Sequence, residues 1–307
     1  MKKRIHILLA IVVSATLWTG CTNDMEDNIP SGQAISFSCD AMQTRAQETT
    51  ASNIATFRVS AVWAKAPGNY VADFMDRQSV EKNAGGAWVY SPILYMPSYG
   101  TVNFFAYSPA NASVNDFQIG GAYDRVRIDY DVTTDLMTQH DFMVAKAPQQ
   151  TTVPIRLEFQ HVLSSVNVEA RNSNSPGYIF RIREVTLLNL CRQGILIGST
   201  TEDWMWEAQR TRTNYAIALN SSVDIPFGSS FTAVSNPAVG PLMVLPQTGT
   251  DFKVAITYDV LENSAEEKVV AKGLTKETPI HHPNDASADF TFEMGQKYTF
   301  RINLEYN

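Results

Sequence analysis

The fold class the sequence predicts is all-β, in sandwiches of short strands. Apolar residues recur with a period of two in five separate segments, while no segment of comparable length carries the i, i+3, i+4, i+7 spacing of an amphipathic helix. Glycine and proline clusters (APGNY, NAGGAW, NSNSPGY, LPQTGTD) punctuate these runs, as turns between strands require.

The chain opens on a targeting segment. Lys2, Lys3 and Arg4 form a basic n-region, and the apolar stretch from Ile7 to Trp18 is too short to span a bilayer. It ends on Gly20 and Cys21, the small-residue-plus-cysteine arrangement that a lipoprotein signal peptidase cuts, with Trp18 where Leu is usual. Residues 1–20 therefore read as a lipoprotein signal peptide cleaved between Gly20 and Cys21. The diacylated Cys21 would hold the protein on a membrane, each buried methylene contributing about 0.8 kcal/mol. Residues 21–33 follow as an acidic tether (Asp24, Glu26, Asp27), and no later segment is apolar enough to span.

The strands come next. Ile35 and Phe37 alternate in AISFS and mark a first strand, followed by a polar stretch from Asp40 to Ser52 whose only basic residue is Arg45. FRVSAVW places Phe57, Val59, Ala61 and Trp63 on one face, and RVRIDYDV does the same with Val126, Ile128, Tyr130 and Val132. PIRLEF (Ile155, Leu157, Phe159) and FKVAITYDV (Phe252, Val254, Ile256, Tyr258, Val260) repeat the pattern. It is clearest in the terminal strand, 296–306, where Tyr298, Phe300, Ile302, Leu304 and Tyr306 oppose Lys297, Thr299, Arg301, Asn303 and Glu305. A strand this regular must pair with something. Two prolines in a polar run at AKAPQQTTVP, Ala145 to Pro154, suggest a boundary, giving an N-terminal sandwich over 34–150, with its first strand and polar segment at 34–50, and a C-terminal one over 151–307.

A formal charge of −7, more negative still without the signal peptide, excludes nucleic acid as an expected partner. Apart from Cys21 there are Cys39 and Cys191, which could pair in an oxidising compartment or stay as buried thiols. GxSxG, HExxH, Walker and GxGxxG motifs are absent, so neither catalysis nor a cofactor is expected. His161 lies in phase with Leu157 and Phe159 and reads as a core histidine. The loop pair His281 and His282 with Asp285 reads as exposed, and no metal site is assigned. Trp204 and Trp206 share one side of a strand, which suits core packing better than a stacking platform for a sugar ring.

Several of these stretches, in this order, resemble the fimbrillins of type V pili in Bacteroidales, including the Mfa-like fimbrillins. The marks are the lipobox at Cys21, TRA at Thr44 to Ala46, VNFFAYSP at Val102 to Pro109 and HDFMVAKA at His140 to Ala147. LEFQHVLSSVNVEA follows, matching F-x-H-x-L-S-x-V-x-V, then VLPQT at Val244 to Thr248 and GQKYTFRINL. The resemblance implies two transthyretin-like sandwiches, and for the acidic tether a signal for export to the outer face of the outer membrane.

It further implies that an arginine-specific or trypsin-like surface protease cuts after Arg45, so that the mature chain starts at Ala46 without its first strand. The vacated groove would then take the C-terminal strand of another fimbrial subunit, in a structural or tip subunit of a fimbria that supports adhesion to a host or bacterial surface ligand. An alternative from a different class is an outer-membrane, lipid-anchored glycan-binding protein using Trp204 and Trp206.

Overall fold

The computed structural model describes residues 32–41, 54–120, 123–219, 221–228, 230–282, 285 and 287–306. Gly20, Cys21, Arg45 and Ala46, with the signal peptide and almost all of the acidic tether, lie outside them. The all-β expectation holds: among the described residues the only helical element is one 3₁₀ turn, Leu136–Thr138, capped by Asp135.

The first strands are β1 (Phe37–Ala41), β2 (Thr56–Ala66), β3 (Asn69–Lys82), β4 (Trp88–Val89), β5 (Thr101–Ser108), β6 (Val114–Gly120) and β7 (Arg125–Asp131). Next come β8 (Met143–Gln150), β9 (Ile155–His161), β10 (Ser164–Asn172), the long β11 (Tyr178–Ser199), β12 (Met205–Ala216), β13 (Val223–Ile225) and β14 (Thr232–Ala233). The rest are β15 (Leu242–Val244), β16 (Gln247–Gly249), β17 (Lys253–Glu262), β18 (Val269–Pro279), β19 (Phe290–Phe292) and β20 (Lys297–Leu304).

One seven-stranded sheet runs β1-β9-β8-β5-β2-β3-β4, and a second runs β18-β17-β11-β7-β6 with β12 and β13 also paired to β11. A smaller sheet is centred on β10, flanked by β14, β15 and β20, and β16 pairs with β19. Most pairs are antiparallel. The two exceptions involve the two end strands, β1 on β9 and β20 on β10, both parallel.

Two apolar cores result. The first gathers Ile35, Phe37, Phe57, Val59, Phe104, Leu157 and Phe159, and the second, larger one gathers residues from Phe105 to Leu304. β5 serves both, with Val102, Phe104 and Ala106 facing the first core and Phe105 and Tyr107 the second. That explains the unbroken apolar run VNFFAY, since a strand covered on both faces loses its alternation.

Pairing does not divide at the expected 150/151 boundary. β9 lies in the first sheet, while β7 pairs with β11 in the second and β6 pairs with β7 at that sheet's edge. The AKAPQQ run is itself strand, because Pro148 and Gln149 sit where the β5–β8 register slips, so no ladder hydrogen bond is lost to the proline. Gln149 there adopts a φ of 52° and its N–H donates to Asn103 Oδ1 at 2.8 Å.

Candidate functional site

β1 is one of the two edge strands of the seven-stranded sheet, β4 being the other. Phe37 is 7% exposed, and its ring meets Phe57 edge-on at 5.4 Å, Tyr90 at 5.7 Å and Phe104 at 6.2 Å. Ile35, just before it, is 3% exposed. Both residues expected on the removable face of a first strand are therefore seated in the first core.

The segment is gripped along two lines. On one side it pairs with β9 from Phe37↔Ile155 to Ala41↔Phe159, and Ile155 N–H donates to Ser36 O at 2.7 Å. On the other, Ile35 N–H donates to Leu94 O at 2.8 Å and Met96 N–H to Gln33 O at 2.9 Å. The approach is close enough that a Cβ on Gly32 would lie 1.9 Å from Met96 O, so only glycine fits there.

Tyr90 ties the two lines together, its buried hydroxyl donating to Ile35 O at 3.1 Å. Tyr90→Phe is expected to cost about 0.5–1.5 kcal/mol, read as a lower urea midpoint. Across β1 and β9, Arg156 reaches both Asp40 and Glu158 at 3.1 Å, but these exposed pairs contribute little. Burial pushes the Cys39 thiol, opposite Leu157, up to about 12, which keeps it protonated near neutral pH. Cys39 and Cys191 are both unpaired.

β20 shows the expected alternation: Ile302 and Leu304 are buried, Tyr298, Phe300 and Tyr306 half-buried, and Lys297, Thr299, Arg301, Asn303 and Glu305 exposed. Its apolar face is occupied by its own chain. It runs beside β10 from Ser165↔Lys297 to Asn172↔Leu304, and among the described residues it pairs with no other strand. Beyond it, Glu305 O accepts from Tyr258 Oη at 3.3 Å, and Tyr306 both gives and receives a hydrogen bond at Ser175 Oγ.

Trp204 and Trp206 pack mainly inward, while also bordering a cavity of about 400 Å³ with Gln209 and Met294. Trp204 is 4% exposed and lies over Gly198 of β11, where a Cβ would sit 2.4 Å from its ring. Trp206, half-buried, lies over Gly194 and donates its Nε1–H to Val162 O at 2.6 Å. The glycines make room for indoles that pack inward. Gly198→Ala is expected to overpack this contact and cost about 1–3 kcal/mol, measured by chemical denaturation.

His161 is a core histidine, 3% exposed, with Nδ1 2.8 Å from Asp141 Oδ1. His281, His282 and Asp285 are exposed, and the described residues hold no cluster of three His, Cys, Asp or Glu able to bind a metal. Sequence reasoning missed Tyr90 and the Leu94–Met96 clamp, which lie in WVYSPILYMPSYG, a stretch without regular alternation. Its density of apolar residues was the one available signal.

A sequence profile described as fimbrillin-like matches residues 44–307. Among solved structures, a fimbrial protein from Bacteroides vulgatus ATCC 8482 shares 16% identity and aligns over 89% of this chain and 96% of its own, with a TM-score of 0.60. A cell-adhesion candidate from Bacteroides uniformis ATCC 8492 shares 13% identity over 88% of this chain and 93% of its own, with a TM-score of 0.52. At such identities these likenesses speak for the fold. No curated protein sequence matches the chain.

Proposed function

Since the chain belongs to the fimbrillin-like family, we propose that it is a subunit of a cell-surface fimbria that matures by losing its first strand and assembles by strand exchange. The observation that carries this is β1: an edge strand with Ile35 and Phe37 seated in the first core, leading directly into the polar segment that holds Arg45. β1 lies at the end of its sheet, so its loss with the preceding residues breaks only the parallel ladder to β9 and the short antiparallel bridge to Leu94–Met96. Cleavage after Arg45 would detach it together with the lipidated Cys21.

The groove left behind would be floored by Phe57, Phe104 and Phe159 and walled by β9 and the Leu94–Met96 backbone. Such an edge is a template for an incoming strand. The C-terminal strand of a neighbouring subunit would fill it and extend the assembly head to tail. The vulgatus relative's description as a fimbrial protein and the uniformis relative's link to cell adhesion support this reading. An export route through the outer membrane, and adhesion to a host or bacterial surface ligand, belong to the same proposal.

The burial of Ile302 and Leu304 favours one position in such a fibre. A subunit whose terminal strand stays on its own β10 accepts a neighbour without donating to another, which suits the tip. The deciding experiment is purification of fibres followed by gold labelling of this chain: label along the shaft refutes the tip placement, and absence from fibres refutes the fimbrial role.

A further inference from the structure

A second site lies away from the strand groove, where the β2–β3 hairpin meets the loop after β5. Arg58, Asp76, Arg77, Tyr107, Asn111 and Val114 are among the residues that line a cavity of about 430 Å³ there. That volume falls in the range of small-molecule sites.

A bulge shapes it. The β2–β3 register slips between Val59↔Gln78 and Ala61↔Met75, so Asp76 and Arg77 together oppose Ser60. Arg77 takes the left-handed conformation at a φ of 43°, held by its own N–H donating to the buried Ser60 Oγ at 2.9 Å. A non-glycine residue in that region is strained, and here the bulge and the Ser60 hydrogen bond hold it.

The polar groups around the cavity are incompletely used. Arg58 donates its Nε–H to Ala110 O at 2.9 Å and one terminal nitrogen to Arg77 O at 3.1 Å, leaving the other nitrogen without a partner among the described residues. Among the described residues the Arg77 guanidinium has one ionic neighbour, Asp76, Nε to Oδ1 at 3.5 Å, both exposed. Tyr107 is 5% exposed, its ring packed against Phe117 and Phe142, and its hydroxyl has no hydrogen-bond partner among the described residues. That hydroxyl sits in the field of both Arg58 and Arg77. A phenol hydroxyl that opens to the cavity beside two guanidinium groups gives an anion several donors to meet.

We propose that this cavity binds the carboxylate of an acidic sugar residue. Two arginines and a phenol suit one carboxylate, since guanidinium matches its planar geometry. Asp76 would repel a doubly charged phosphate about twice as strongly as a singly charged carboxylate and would accept hydrogen bonds from sugar hydroxyls, and Asn111 can serve a ring hydroxyl likewise. The site is independent of β1, so its test does not depend on strand exchange.

The test is NMR titration of the intact chain with D-glucuronate, with glucose and inorganic phosphate as controls. Saturable shifts with glucuronate, and neither with glucose nor with phosphate at equal concentration, are expected. Arg77→Gly removes a charge-assisted contact while suiting the left-handed backbone, so affinity should fall roughly tenfold or more while the melting temperature is kept or raised. Because Arg58→Gln also loses backbone contacts, Tyr107→Phe is the second variant, expected to weaken binding in a folded protein. No glucuronate binding, equal binding of glucose or phosphate, or undiminished binding by Arg77→Gly would each overturn the proposal.

Discussion

Deleting residues 297–307 is expected to unfold the second core of the monomer rather than trim a loose end. The deletion takes away Ile302 and Leu304, 4% and 0% exposed, and three half-buried aromatic side chains packed against the same core. Emptying two buried aliphatic sites costs about 2–5 kcal/mol each, a large part of the roughly 5–15 kcal/mol that holds a domain together. β10 would also lose the partner that runs its full length, leaving its inner residues beside a bare edge.

The truncated chain should lose its cooperative thermal transition in circular dichroism, and a synthetic peptide covering 296–306 should restore it in trans. Leu304→Asp should reproduce the loss without changing chain length, because it buries a charge with no partner in the core. A truncated chain with an unaltered melting temperature would show that β20 is dispensable at home and free to be donated, and would refute the tip placement.

How far the sequence foresaw this arrangement depended on whether the needed information was local. Alternation is local, so the faces of β7, β9 and β20 were legible residue by residue, and the inward direction of His161 followed from its phase with Leu157 and Phe159, whereas β2 also buries Ser60 and Val62 on its other face. β5 was harder, because burial on both faces replaces alternation with a continuous apolar run. The prolines of AKAPQQTTVP read as a linker, yet Pro148 sits in a bulge, and whether a proline breaks a strand depends on a neighbour's register that its own segment does not encode.

Pairing partners were the least visible feature. Nothing in AISFS or KYTFRINL announces that each will lie parallel to one half of the stretch from Ile155 to Asn172, which offers β9 to one end of the chain and β10 to the other. The tryptophans were legible as a pair suited to core packing, but not the surface that receives them. Their inward packing follows from Gly194 and Gly198 on the neighbouring β11, a cross-strand complement that separation in sequence conceals.

Arg45→Ala should block maturation altogether, the largest effect expected of any single substitution here. Arg45 is the only lysine or arginine between Arg4 and Arg58, so a protease specific for those side chains has one place to cut between the N-terminal segment and β2. Its neighbours Thr44 and Ala46 are small, and the stretch from Asp40 to Ser52 is polar, as an accessible cleavage segment needs to be.

In the wild type, N-terminal sequencing and intact mass of the surface form should give a chain starting at Ala46, accompanied by high-molecular-weight polymers. The variant should keep acylated Cys21 and remain monomeric, because β1 still occupies the seat formed by Phe57, Tyr90 and Phe104. Trypsin added to wild-type cells should release polymer, and added to variant cells should release none. A wild-type chain that still begins at Cys21 would sink the processing step and leave an uncut, lipid-anchored subunit as the better account. In that case β1 would be a permanent strand, and the grip of Leu94–Met96 and Tyr90 on Ile35 would serve stability alone.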